Sequence, residues 1–229
     1  SSDVCSSDLA QFDPGLFLRA VEAHRVTHTI LPPPMLSMVV NRPDVAKFDL
    51  SSMRCIVNGG APLYPALLRR GREIFGDVFV PIYGSVESFG TGLILKKQDQ
   101  VSDGPPEGVK RLGSLGKPMA GMQVKVVDDD GGDVPFGSEQ SGEIWLKGDS
   151  IATGYFESPE TTRETFADGW LRTGDLAQVD EEGFLFFVDR KKDVINTGAM
   201  KVYSVEVEQA IAIHPAVSAV SVIGVPDAK

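Results

Sequence analysis

Trp170-Leu171-Arg172-Thr173-Gly174-Asp175 and, one acidic hairpin later, Asp189-Arg190-Lys191-Lys192-Asp193-Val194-Ile195-Asn196-Thr197-Gly198 bring a carboxylate and a cluster of cations into one short stretch of chain. The Thr-Gly pair before Asp175 reads as a turn, from which the carboxylate is expected to project. One ionised carboxylate accepts hydrogen bonds from two vicinal hydroxyls at once, the pair that a ribose offers, and the neighbouring cations suit phosphates. On spacing alone the plainer alternative, an ordinary loop followed by a solvated basic face, is favoured, because short motifs also match by chance.

The chain that must position these groups has 229 residues, enough to bury a sizeable core in one large domain or two smaller ones. It carries 22 Lys and Arg against 32 Asp and Glu, a formal net charge of -10. That balance argues against nucleic acid as a partner, since a phosphate backbone demands a basic footprint. Cys5 and Cys55 are the only cysteines, which fits a reducing compartment. No run approaches the roughly 18 consecutive apolar residues of a spanning helix, and residues 1–9, with their repeated Ser-Ser-Asp, read as a non-native or artefactual leader rather than a targeting signal. A cytoplasmic protein is expected.

Between residues 10 and 100, helical and strand patterns alternate. Leu16, Phe17, Ala20 and Val21 recur at helical spacing, 27–31 reads as a strand, and Pro32-Pro33-Pro34 is expected to break the chain. A helix around 35–40, a strand at 54–57, a helix at 63–75 and a strand at 78–82 complete an α/β pattern with a parallel sheet, in which ligands gather at the carboxyl ends of strands. From 101 to 190 the strands at 122–127, 142–147, 177–180 and 184–188 predict a small β-rich subdomain, with a helix confined to 159–166. Asp128-Asp129-Asp130-Gly131-Gly132 reads as a solvated turn rather than a metal loop, because no further ligands follow at calcium-loop spacing. From 191 to 229, Ser204 as the N-cap of a helix over 205–213 and the apolar run 217–225 predict the start of a small α+β C-terminal domain.

From about Gln11 to Lys229 the chain resembles the acyl-CoA synthetases of the adenylate-forming superfamily. Asn58-Gly59-Gly60-Ala61-Pro62 is similar to that family's Gly-Gly-Ala-Pro loop, and Tyr83-Gly84-Ser85-Val86-Glu87 to its Tyr-Gly-x-Thr-Glu. The resemblance implies that the backbone of Gly60, Ala61 and Pro62 lies along adenine, that Tyr83 stacks beside it next to Gly84, and that Glu87 helps to place Mg²⁺. Val86 stands where the family has a Thr whose hydroxyl meets the α-phosphate; Ser85 or Ser88 compensates or phosphate binding weakens, and Val86 itself is expected to pack. Ser141-Gly142-Glu143-Ile144 and Gly154-Tyr155 match family motifs and receive structural roles.

Thr173-Gly174-Asp175 matches the ribose motif without change, which reverses the preference drawn from spacing alone. The resemblance gives Arg190 to ribose and phosphate, puts Phe187 near the ribose where a core role is equally good, and makes Lys192 the hinge of the C-terminal domain. Gly198 and Ala199 fall on a Gly-Gly pair near the pantetheine arm of CoA, with Ala199 replacing the second glycine. The fold implied is the C-terminal half of the large α/β N-domain with its β-rich subdomain, followed by the start of the C-terminal domain.

The implied reaction uses ATP, Mg²⁺ and CoA to turn a fatty or aryl carboxylic acid into an acyl adenylate and then a thioester. The family's phosphate loop is expected upstream of residue 11 and its catalytic Lys beyond 229, so this piece alone is expected not to adenylate. The alternatives are an amino-acid-activating domain of a peptide synthetase and a non-catalytic nucleotide-binding remnant. Neither the acid nor the oligomeric state is readable from the sequence.

Overall fold

The computed structural model describes residues 12–61, 63–101, 106–198, 200–212, 214, 216–217 and 220–225. Residues 1–9, Pro62 and Ala199 therefore lie outside the described residues. The chain divides into two compact units, one formed by the residues up to Tyr83 with Ile94–Gly113, the other by Gly84–Leu93 with 114 onward.

In the first unit, helix α1 (Pro14–His24) starts where the Asp13 carboxylate accepts the Leu16 N–H, with Pro14 in the first turn. Its inner face is Leu18 and Val21, with Phe17 packed against the core; Leu16 and Ala20 are exposed, so the buried stripe is offset from the expected one. Strand β1 (His28–Ile30) follows, and helix α2 (Pro33–Val40) begins inside the triple proline instead of after it. A proline in the first helical turn loses no helical hydrogen bond, because its N–H would have had no partner there.

Strand β2 (Cys55–Asn58) lies between β1 and β3 (Phe79–Tyr83), parallel to both. Helix α3 (Pro65–Phe75) joins β2 to β3 and buries Leu68, Gly71 and Phe75 along one face. Gly71 is there for lack of room, since a Cβ would stand 2.6 Å from Cζ of the buried Phe79 ring. Leu18, Leu31, Leu36, Val39, Ile56, Leu68 and Phe79 form the core. Strand β4 (Leu93–Ile94) falls at the division between units, and the short helix α4 (Pro106–Lys110) closes the first.

After β5 (Lys117–Pro118), the second unit is built on an antiparallel sheet in the order β10-β9-β7-β6, from strands β6 (Gln123–Val127), β7 (Gly142–Lys147), β9 (Trp170–Val179) and β10 (Leu185–Arg190). Helix α5 (Pro159–Thr165) leads into β8 (Phe166–Ala167), which pairs with β9. Gly142 is required in β7, because a Cβ would stand 2.5 Å from the Val127 carbonyl oxygen. The acidic turn before β7 consumes its own carboxylate: Asp128 Oδ1 accepts the N–H groups of Asp130 and Gly132. Strands β11 (Ile195–Asn196) and β12 (Lys201–Val202) form a hairpin before helix α6 (Ser204–Ala212), and the described part of 217–225 carries no regular element. The α/β class expected from the sequence, parallel sheet first and antiparallel β-rich part after it, is the one observed. No helix among the described residues is long and apolar enough to cross a membrane.

Candidate functional site

Asp175 does not project from a turn. It lies inside β9, where the register against β7 jumps from Leu176 opposite Glu143 to Arg172 opposite Trp145, so that Thr173, Gly174 and Asp175 bulge opposite Ile144 alone. Gly174 takes φ +73°, the positive value that made the sequence read as a turn. The bulge is pinned by its own side chains: the Thr173 hydroxyl donates to the Ile144 carbonyl at 2.8 Å and accepts the Asp175 N–H at 3.1 Å.

On the other edge of β9, Arg190 of β10 sits directly opposite Asp175. Its Nε is 3.6 Å from Asp175 Oδ1; the Arg190 side chain is 60% exposed and that of Asp175 19%. A pair that loose and wet adds little to stability. It does hold a carboxylate and a guanidinium side by side at the surface. Phe187 pairs with Ala177 further along β10 and is half-buried.

Glu87 sits in a short 3₁₀ turn, Val86–Ser88, in the same unit. Gly84 permits that turn, since a Cβ would stand 2.5 Å from the Gly90 carbonyl carbon. Val86 is 91% exposed and so does not pack as expected: it stands at the solvent side of the turn. Ser88 is buried, its hydroxyl accepting the Ser85 N–H at 3.0 Å and donating to the Ser85 carbonyl, and the Ser85 hydroxyl in turn accepts the Ser88 N–H, so both serines named as replacements for the missing hydroxyl are engaged in the turn.

The Tyr155 hydroxyl donates to Glu87 Oε1 at 2.6 Å, and the Glu87 carbonyl accepts the Ala152 N–H at 2.7 Å. Tyr155 is itself held, its ring edge-on to Phe166 at 5.6 Å and its N–H on the Thr162 hydroxyl. The Tyr155 hydroxyl keeps the Glu87 carboxyl below the usual glutamate range against the opposing effect of burial. Burial, followed by the Glu87 carboxylate, pushes the Tyr155 phenol up. Beyond the oxygen that Tyr155 engages, the Glu87 carboxyl has a second hard oxygen, the donor type that Mg²⁺ takes.

In the first unit, Gly59, Gly60 and Ala61 follow the carboxyl end of β2, and a Cβ on Gly59 would meet Ile82 Cγ1 at 2.9 Å, so this turn lies against the end of β3 that carries Tyr83. Gly60 has φ +82° and open space around it, Ala61 is exposed and Tyr83 half-buried. Lys192 is exposed in the turn after β10, which the Asp193 N–H closes on the Arg190 carbonyl. Gly198, with φ +86°, lies at the exposed tip of the β11–β12 hairpin.

The structure thus brings Asp175 and Arg190 together, and Glu87 together with Tyr155. The sequence reading gave Tyr155 and Glu143 only structural roles. Glu143 is 8% exposed yet sits in an otherwise apolar stretch of β7, and an acidic residue at an inward strand position is the signal that could have singled it out.

Residues 3–156 match the model of a family described as AMP-binding enzyme. The chain belongs to the AMP-binding enzyme family. Among its relatives is the medium/long-chain-fatty-acid–CoA ligase FadD8 of Mycobacterium tuberculosis, 41% identical over 221 residues that make up 96% of this chain and 37% of that protein. Among solved structures, the amide bond synthetase McbA from Marinactinospora thermotolerans superposes with a TM-score of 0.84 at 37% identity, covering 96% of this chain and 43% of that one. O-succinylbenzoate coenzyme A synthetase from Bacillus subtilis, in complex with ATP and magnesium ion, gives a TM-score of 0.80 at 30% identity over 95% of this chain and 43% of that one. This AMP-binding enzyme chain spans less than half the length of each of these relatives.

Proposed function

We propose that this chain supplies the ribose- and metal-binding side of the nucleotide site in an acyl-CoA synthetase, which activates a fatty or aryl carboxylic acid as its adenylate and passes the acyl group to CoA. The observation that carries the reading is the cross-strand placement of Asp175 opposite Arg190. Asp175 accepts hydrogen bonds from the two ribose hydroxyls, and Arg190 spans ribose and phosphate. The resemblance gives adenine to Gly60, Ala61, Pro62, Tyr83 and Gly84. Glu87, whose carboxyl the Tyr155 hydroxyl holds below the usual glutamate range, is the metal-binding carboxylate. A bound magnesium ion would neutralise phosphate charge.

In the first half-reaction the acid's carboxylate oxygen attacks the α-phosphorus of ATP and pyrophosphate leaves; catalysis rests on positioning and charge neutralisation. In the second, the CoA thiolate attacks the acyl carbon and AMP leaves. Lys192 is the hinge between the two states, and the resemblance gives the pantetheine arm to Gly198, at the hairpin tip, and to Ala199. The likeness to FadD8 favours CoA as acceptor, while the likeness to McbA, named an amide bond synthetase, supports an amine acceptor as the second reading. A reducing, cytoplasmic location fits both.

The test is acid-dependent exchange of pyrophosphate into ATP by the whole protein across fatty and aryl acids, followed by CoA-dependent release of AMP. Exchange without CoA dependence selects the amine reading. If no acid supports exchange, acid activation is overturned and a nucleotide-binding remnant is left.

A further inference from the structure

The bulge that carries Asp175 has lost its ladder partner on the β7 side, and a side chain replaces it. Glu143 Oε1 accepts the Gly174 N–H at 3.0 Å. On the opposite edge the Gly174 carbonyl accepts the Lys191 N–H at 2.7 Å. The Lys191 ammonium then returns to the other oxygen of the same carboxylate, Oε2, at 3.2 Å. Glu143, Gly174 and Lys191 therefore close a hydrogen-bonded ring across three strands' worth of chain.

The ring's members are the direct neighbours of the candidate ribose groups. Gly174 precedes Asp175, and Lys191 follows Arg190. Backbone groups of a bulge are poorly fixed by the ladder, because the extra residues stand outside it. A charged acceptor on the Gly174 N–H restrains the peptide plane from which Asp175 projects. The same carboxylate, by drawing in Lys191, restrains the end of β10 from which Arg190 projects. Glu143 can do this because it is enclosed while its two donors are fixed, one by the backbone and one by a side chain reaching in from solvent.

We propose that Glu143 is the positioning residue of the ribose site: it touches no nucleotide, but it sets the spacing and direction of Asp175 and Arg190. The inference rests on the reading of Asp175 as the ribose carboxylate, and its test separates the two. AMP affinity is measured by titration calorimetry on the whole protein, wild type and the variants Asp175→Asn, Glu143→Ala, Glu143→Gln and Lys191→Met. Glu143→Gln matches the shape and keeps an acceptor for the Gly174 N–H but presents no charge to Lys191, so it guards against a Glu143→Ala variant that fails to fold.

The expected result is a loss of AMP affinity of about tenfold for Glu143→Ala and about threefold for both Glu143→Gln and Lys191→Met, the partial rescue marking a hydrogen-bonded position over mere filling of space. In ¹⁵N-correlated spectra the Gly174 amide proton, shifted downfield by its carboxylate acceptor, moves upfield in Glu143→Ala and less in Glu143→Gln. If the Glu143 variants bind AMP as the wild type does while Asp175→Asn binds weakly, Glu143 is structural and the proposal is overturned. If Asp175→Asn also binds as the wild type does, the nucleotide reading itself is what has failed.

Discussion

Asp189 is 1% exposed at the end of β10, and its carboxylate is surrounded by donors. It accepts the Arg190 N–H at 2.7 Å, the Ser204 N–H, and the Ser204 hydroxyl at 3.0 Å. Two of these come from the first residue of α6, so a buried carboxylate on one side of the Lys192 turn caps the helix on the other. Removing it in Asp189→Ala strands two backbone donors and a hydroxyl away from water and removes a negative charge from a helix N-terminus. At about 1–3 kcal/mol for each buried donor left unpaired, offset by relaxation and by water entering, the expected loss is about 3 kcal/mol. Ser204→Ala deletes only the hydroxyl bond and is expected to cost about 1 kcal/mol. The two changes act on one contact, so the double variant should be no less stable than Asp189→Ala, with a coupling of about 1 kcal/mol. Urea unfolding of the chain followed by circular dichroism measures all three. A loss below about 0.5 kcal/mol for Asp189→Ala, or strict additivity in the double variant, refutes the cap.

The other expectations concern packing and pH. Gly71→Ala places a methyl 2.6 Å from the buried Phe79 ring and should lower stability by about 1–3 kcal/mol, read from the urea midpoint; an unchanged midpoint would show that α3 and β3 can separate without cost. The folded-state value of Glu87 lies below its unfolded one, so its contribution to stability is present above the ordinary glutamate range and is lost as pH falls through the lowered value. Tyr155→Phe removes the main cause, so the Glu87 carboxyl should titrate at higher pH in ¹³C spectra and the acid-side loss of stability should shrink. A titration that does not move would show that Tyr155 does not hold the carboxylate.

Much of the architecture was legible because local signals agreed with it. The run Gly142–Lys147 appears as a strand with the bounds read from its composition, and α3, β3 and α5 differ from expectation only by a few residues at their ends. Local signals misled where tertiary packing overrode them. Thr173-Gly174 has the chemistry of a turn, yet the strands on both sides draw it into β9 as a bulge, and the positive φ of Gly174 is the remnant of the turn signal. Pro33 and Pro34 read as a break, although a first helical turn accepts them. The motifs gave the residues of the candidate site but not its supports. Tyr155 reaches Glu87 across 68 residues and Glu143 reaches Gly174 across 31, and such pairings follow from strand order, which no local window contains.

The central claim is that Asp175 holds the two hydroxyls of a ribose. Its most direct test compares the affinity of the chain for AMP and for 2′,3′-dideoxy-AMP, in the wild type and in Asp175→Asn. The wild type should prefer AMP by roughly 1.5–3 kcal/mol, the worth of hydrogen bonds to a charged acceptor, and Asp175→Asn should lose most of that preference. A preference that survives in Asp175→Asn, or a wild type that binds both nucleotides alike, would contradict the account.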